Sequence, residues 1–466
     1  MDDVKELYNL LAKIISCVIK NTDNDFYKRY DCRTTERKNK EKDLMIAHVP
    51  LLFEENEQHY RELGAGREGM PEGLLQQIQA FVVICTDQAD YGCLLRLIEI
   101  LDMTLETQMT RELESLSNTF STECLNANAN RLEIGIVPRC VCHWERNHRG
   151  SQHLACVDNY LKNILLIDYN ALGRLEIVHH YLPVNTFAMA EKRKKLHVAI
   201  SPLAWEKNFR KKLYEKEETQ YFSLQHIGDV EKENKQIKGI IEAATGLEAD
   251  ILIFPEACGN TKMMEEISEF LQDPVWIGKN KPPMITVLPS VWNANENTSH
   301  VVSHTGDVIC SQNKQEAYVE ENGDNGCIYE DIERDHIVHL IHGVGIGRMV
   351  VMICKDFLTS DYLDLLLKEL KVTMILVPSF SSGYHDFEMI SGKLLSADCC
   401  AVWVNAMAAV VEKKTEEKRL GFIVRSGKNT EENRTEFYIE NEDPRDKCVG
   451  APLKTWDMYF NSGISR

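Results

Sequence analysis

The chain has 466 residues, 44% of them hydrophobic and 27% charged, and a formal net charge of −19. That length calls for two or three domains, and the composition is that of a globular protein with enough core to need no staple. The acidic balance argues against broad electrostatic binding to nucleic acid or a membrane surface, leaving at most a local basic patch, and no apolar run approaches the roughly 20 residues that span a bilayer.

The opening stretch, MDDVKELYNLLAKIISCVIK, reads as an amphipathic helix with Leu7, Leu10, Leu11, Ile14, Ile15 and Ile19 on its apolar face. Its acidic start is unlike a signal peptide. The 15 cysteines are odd in number and scattered, and Cys399 and Cys400 are adjacent, a poor arrangement for a disulfide. Reduced thiols in a cytoplasmic protein are therefore expected. Helical patterns continue to about residue 125, interrupted by Thr34 to Asp43, which reads as a solvated charged loop or helix face. RLEIGIV, NILLIDY and RLEIVHHYL then read as strands, so residues 1–190 form a helix-rich mixed α/β region. Nothing in this region resembles a known family, and it is free to bind a partner.

Within that region Cys140, Cys142, His143, His148, His153 and Cys156 crowd together. These are zinc-ligand types, but the spacing is not that of paired Cys-x-x-Cys knuckles. Core cysteines and surface histidines are the preferred reading, and no metal is assigned.

The charged run Lys192 to Lys195 reads as a solvated linker ahead of a short strand, Leu196 to Ile200. From there α and β signals alternate. Ile237, Ile240, Ile241 and Ala244 share one helical face, and ADILIFPEACG, PPMITVLPSVW, SHVVSHTGDVICSQNK, GRMVVMIC, VTMILVPS and CCAVWVNAM read as strands. Such alternation implies α/β layers with strands buried on both faces, whose ends carry the functional site. Three ionisable residues stand at such ends: Glu256, Lys314 and Cys354. A thiol attacks carbonyl or nitrile carbon as its thiolate, a carboxylate can take the thiol proton, and an ammonium can stabilise the negative charge that develops. Together they suffice for acyl transfer through a thioester.

ADILIFPEACG, SQNKQEAYVEE, MVVMICKDF and ILVPSFSSG, in this order, resemble the signature of the nitrilase (carbon-nitrogen hydrolase) superfamily over roughly residues 194–410. KLHVAISPLAW, ENTSHVVSHTGDVI and LSADCCAVWVNAM resemble the family's flanking elements. The resemblance implies an α-β-β-α four-layer sandwich over residues 191–445, with 446–466 as a C-terminal tail. It implies Glu256 as general base, Lys314 as catalytic lysine and Cys354 as nucleophile. A second glutamate that positions the lysine is expected at Glu320 or Glu321, with Glu320 favoured. The N–H of Lys355 is expected to help bind the oxyanion, and Asp356 to be structural. Lys355 stands where many members carry an aromatic residue, either pointing away or selecting an anionic substrate.

The expected activity is hydrolysis of a small-molecule amide ahead of a nitrile, by a homodimer or higher homo-oligomer, with no metal or organic cofactor. The competing readings are glutaminase or acyl-transfer activity, and an oligomerising or partner-binding module of a larger system such as antiviral defence.

Overall fold

The first helix, Asp2–Asn21, buries Leu7, Tyr8, Leu11, Ile14, Ile15 and Val18, while Leu10 is half-buried and Ile19 stands 36% exposed. The buried stripe drifts along the helix because 3.6 residues per turn do not repeat on a strict heptad. In the computed structural model, the described residues are 2–54, 59–63, 70–117, 120–121, 124–126, 133–146, 156–203, 207–321, 326–411, 418–426, 434–440 and 453–460. They fall into two compact units.

The first unit holds residues 1–140 and 146–173, with 368–370. Helices Asp2–Asn21, Asn24–Asp31, Thr35–His48, Leu74–Asp87, Tyr91–Thr104 and Glu106–Leu116 are joined by an antiparallel ribbon of Ile134–Pro138 with Ile164–Asp168. One apolar core unites them, with Tyr91–Thr104 as its most buried helix. The run expected to be a solvated face contains a buried carboxylate, Glu41, which is 2% exposed. Thr34 caps the helix by accepting from the Arg37 N–H at 3.2 Å, and Arg33 (2.5 Å) and Arg37 (3.0 Å) neutralise Glu41. The i,i+4 spacing of Arg37 and Glu41 is visible in the sequence, but the burial of Glu41 is not.

The second unit starts at residue 174 instead of 191 and also takes in 141–145. The reason is strand pairing. Glu176–Tyr181, from the region expected to be separate, lies parallel to Ile337–Gly343. That sheet continues through Gly347–Val351, Met374–Ser379, Cys400–Asn405, Lys418–Arg425 and Arg434–Glu440. A second sheet runs in the order Val291–Asn293, Glu296–Ser303, Ile285–Val287, Ile251–Ile253, Lys195–Ile200 and Lys454–Tyr459, with Val308–Asn313 also pairing Glu296–Ser303. Residues 446–466 are thus more than a tail: Lys454–Tyr459 closes this sheet antiparallel to Lys195–Ile200. The run Lys192 to Lys195 is not a linker either. Its arginine, Arg193, ends the helix Ala188–Arg193 and pairs with buried Asp250 at 2.6 Å.

Helices Val230–Gly246 and Met263–Gln272 pack Ile237, Ile240, Ile241 and Ile267 against Ala199, Leu252 and Leu288 on the outer face of the second sheet. Helix His385–Met389 covers the first sheet, where Phe387 meets Trp403 at 5.1 Å between ring centroids. The two sheets face each other so closely at Gly421 that an added Cβ would stand 2.2 Å from Ile200 of the other sheet. Helix, sheet, sheet and helix give the four layers expected. The central strands are buried throughout, as strands covered on both faces must be. A separate four-stranded sheet joins Phe209–Lys216, Thr219–His226, Cys327–Glu330 and Val319–Glu321. No described helix is long and apolar enough to cross a membrane.

Candidate active site

Three strand ends meet. Ile251–Ile253 runs into Pro255 and Glu256, whose N–H donates to the Ser379 carbonyl at 3.4 Å. Val308–Asn313 runs into Lys314, whose N–H donates to the Asn297 carbonyl at 2.9 Å. Gly347–Val351 leads through Met352 and Ile353 to Cys354, whose N–H donates to the Pro378 carbonyl at 2.9 Å. Cys354 has φ 48° and ψ −99°, a strained backbone for a residue with a side chain, and a short helix, Lys355–Leu358, starts directly after it. This turn is what carries a thiol away from a buried strand and toward the other two ends.

The structure therefore brings Glu256, Lys314 and Cys354 together, all buried. The Lys314 ammonium lies 2.8 Å from Glu256 Oε1 and 2.8 Å from Glu330 Oε2. Glu256 Oε1 also accepts from Asn297 Nδ2 at 2.9 Å, and Oε2 accepts the Phe380 N–H at 2.9 Å. The Cys354 thiol faces Glu256, Lys314 and the Phe380 N–H. Burial pushes the thiol pKa up, with the Glu256 charge adding to the rise and Lys314 opposing it. Burial works against the Lys314 ammonium, yet the carboxylates of Glu256 and Glu330 hold its pKa well above the usual lysine value. Burial raises Glu330 as well, against the pull of Lys314. The resting site thus favours a neutral thiol and a charged Lys314 held between Glu256 and Glu330.

The second glutamate expected at Glu320 is elsewhere. Glu320 sits in the separate four-stranded sheet, half exposed, and pairs with Lys211; Glu321 is exposed. The glutamate that lies beside Glu256 on the Lys314 ammonium is Glu330, across the hairpin in which Glu320 pairs with Ile328. Burial alternates along Cys327–Glu330, so Ile328 and Glu330 share the inward face. Asn297, part of a motif read from the sequence without a role, orients Glu256.

Asp356, expected to be structural, is buried in the Cys354 turn. Its carboxylate accepts N–H bonds from Gln315 at 3.0 Å, Glu316 at 2.7 Å and Ile353 at 3.2 Å. It therefore ties the backbone after Lys314 to the Cys354 turn. Burial pushes its pKa from 3.8 up to about 7, with Lys314 opposing. A raised carboxyl pKa means the folded state favours the protonated form. This contribution to stability is full below pH 3.8 and is lost as pH rises through about 7. Denaturant titrations between pH 4 and 8 should show the advantage of wild type over Asp356→Asn shrinking with pH, by ~4 kcal/mol at most. An advantage that grows with pH would contradict this assignment. Lys355 is half-buried at the start of the short helix.

Of the cysteine- and histidine-rich cluster, Cys140 and Cys156 belong to the first unit and Cys142 and His143 to the second, while His148 and His153 lie outside the described residues. No disulfide joins the described cysteines. A cavity of about 650 Å³ lined by Arg29, Tyr30, Arg33 and Arg37 lies in the first unit and contains none of the site residues.

No family model matches the sequence, and no curated protein matches it. Solved structures that are similar over part of the chain include the following three. One is the glutamine-dependent NAD+ synthetase from Acinetobacter baumannii, at 14% identity and TM-score 0.38, over 56% of this chain and 45% of that one. The chain thus spans less than half the length of that protein. A second is a mutant of the amidase from Nesterenkonia sp. AN1 in complex with butyramide, at 10% identity and TM-score 0.38, over 57% of this chain and 92% of that one. A third is Saccharomyces cerevisiae Nit3, a member of branch 10 of the nitrilase superfamily, at 13% identity and TM-score 0.38, over 57% and 90%.

Proposed function

We propose that the second unit hydrolyses a non-peptide carbon-nitrogen bond, an amide ahead of a nitrile, through a thioester on Cys354. The observation that carries this reading is the buried thiol facing a carboxylate whose other partner is a permanently charged lysine. A thiol whose pKa is raised by burial is not a standing thiolate, so its proton must move to a base as attack begins. Glu256 is held for that role by Asn297 and the Phe380 N–H.

In the proposed sequence Glu256 takes the Cys354 proton while sulfur bonds to the carbonyl carbon. The Lys314 ammonium, with the Lys355 N–H, stabilises the oxyanion. The carbon-nitrogen bond breaks and Glu256 returns the proton to the leaving amine. Water then loses a proton to Glu256, adds to the thioester, and the carbon-sulfur bond breaks to restore the thiol. Glu330 positions Lys314 and keeps it charged. The Cys354 proton leaves with the amine and a proton from the water replaces it on sulfur through Glu256, so the cycle needs no external acid or base.

Intact-mass spectrometry after incubation with a panel of amides and nitriles tests this. The expected result is a mass increase equal to one acyl group, mapped to the peptide that contains Cys354. Turnover with adducts only on another cysteine would sink the assignment. Transfer of the acyl group to added amines instead of water would favour an acyltransferase.

A further inference from the structure

A second cluster of chemically able side chains lies between the two sheets of the second unit. His180 and His339 stand on neighbouring parallel strands, where His339 pairs with Val178 and Ile341 with His180. Two residues apart in register, they point to the same face of the sheet. His180 Nε2 and His339 Nδ1 are 2.9 Å apart. Cys310 comes from Val308–Asn313 on the other sheet, and its ligand atom lies within 4.8 Å of both histidines. Gln312, two residues on, ties that strand to the first sheet by donating to the Ile337 carbonyl at 3.0 Å and accepting the His339 N–H at 3.2 Å.

We propose that His180, His339 and Cys310 form a binding site for a divalent transition-metal cation of the zinc class, clamping the two sheets together. Two imidazoles and a thiolate are the donors such an ion prefers, and three of them leave a fourth tetrahedral position for water. Donors about 2.1 Å from a tetrahedral ion stand about 3.4 Å apart, which the 2.9 Å pair reaches by a small rotation of either ring. Burial lowers the pKa of both histidines, His180 to about 4, so both rings present neutral nitrogens. The proton shared between the rings moves to another ring nitrogen on binding. Cys310, whose thiol pKa is raised by burial, releases its proton to solvent as the sulfur–metal bond forms.

A nearby pair marks the contrast. His179 and His342 also meet at 2.9 Å, on the opposite face of the same two strands. Among the described residues no third ligand joins them. The cysteine is therefore what turns one of two histidine pairs into a metal site. His339 is only half-buried, which gives an ion a way in.

The test uses the full chain, stripped with a chelator and titrated with Zn²⁺ and with Co²⁺ as a spectroscopic probe. One equivalent should bind, with a thiolate-to-cobalt charge-transfer band in the near ultraviolet and a Tm rise of about 5 °C or more with Zn²⁺. Cys310→Ser should lose the band, His339→Gln should weaken binding at least about tenfold, and Cys354→Ala should keep both. If Cys310→Ser does not fold, the half-buried His339→Gln and the wild-type titration still decide. Folded wild type that takes up no stoichiometric metal, a band that survives Cys310→Ser, or one lost in Cys354→Ala would each overturn the site.

Discussion

Cys354→Ala should abolish hydrolysis, lowering kcat by roughly 10⁴-fold or more, while the protein stays folded. The activity loss follows because, among the described residues, no other thiol shares its surroundings. Cys258 is buried near the Glu256 and Glu233 charges, which push its pKa further up, with no cation among the groups acting on it. The fold should persist for a different reason. Alanine removes one buried atom, no charge, and leaves the ion pairs of Lys314 with Glu256 and Glu330 in place. The cost should be about 1 kcal/mol, read as a small drop in Tm. Ammonia release and thermal melting on the same preparation check both halves. Undiminished turnover would remove Cys354 from the mechanism. Lost turnover with lost structure would call for Cys354→Ser, which keeps the volume of the side chain nearly unchanged.

The second large effect is expected at Glu330, a residue whose role came from the structure. Glu330→Gln keeps an oxygen to accept the Tyr318 N–H, now 2.7 Å from Glu330 Oε2, but removes one of the two charges that fix Lys314. The ammonium would then be held by Glu256 alone and would be drawn further onto the base that Cys354 needs. A fall in kcat of about 10²–10³-fold is expected, with little change in KM, because the interaction matters most as the oxyanion forms. Glu320→Gln is the control. Its ion pair with Lys211 is 44% exposed on the glutamate side, so its loss should change stability by no more than about 1 kcal/mol and leave the rate near wild type. The reverse ranking of the two variants in steady-state kinetics would return the lysine-positioning role to Glu320.

The contrast between these glutamates shows how far the sequence could be read. Strand ends at Glu256 and Cys354 were legible because each follows an unbroken apolar run, a local pattern that burial on both faces imposes, whereas Lys314 follows the mixed run VICSQN and was legible only by its place in the ordered set. Their order also carried the family resemblance and, with it, the four layers. Asp356 was expected to be structural from the resemblance to the family's cysteine turn, and its carboxylate accepts three backbone N–H bonds. Glu330 was not, since it lies beyond residues 322–325 on the returning strand of a hairpin. Only the pairing register shows which of several glutamates faces inward.

The same limit explains the unit boundary and the chain's last strand. Glu176–Tyr181 and Lys454–Tyr459 look like ordinary short strands, and what decides their membership is a partner more than a hundred residues away. Glu41 read as solvated because its burial depends on packing against other helices, although the arginines that neutralise it, Arg33 and Arg37, lie close to it in sequence. Likewise, the ligand-rich stretch visible in the sequence, Cys140 to Cys156, was set aside for its spacing, whereas His180, Cys310 and His339 are too dispersed along the chain to suggest a site. By itself the sequence determined which segments are buried strands and which reactive groups end them, because those depend on apolar patterning within a few residues. The tertiary structure alone decided which carboxylate holds the lysine, where the units divide and which histidines meet a cysteine, because each depends on a contact between strands far apart in the chain.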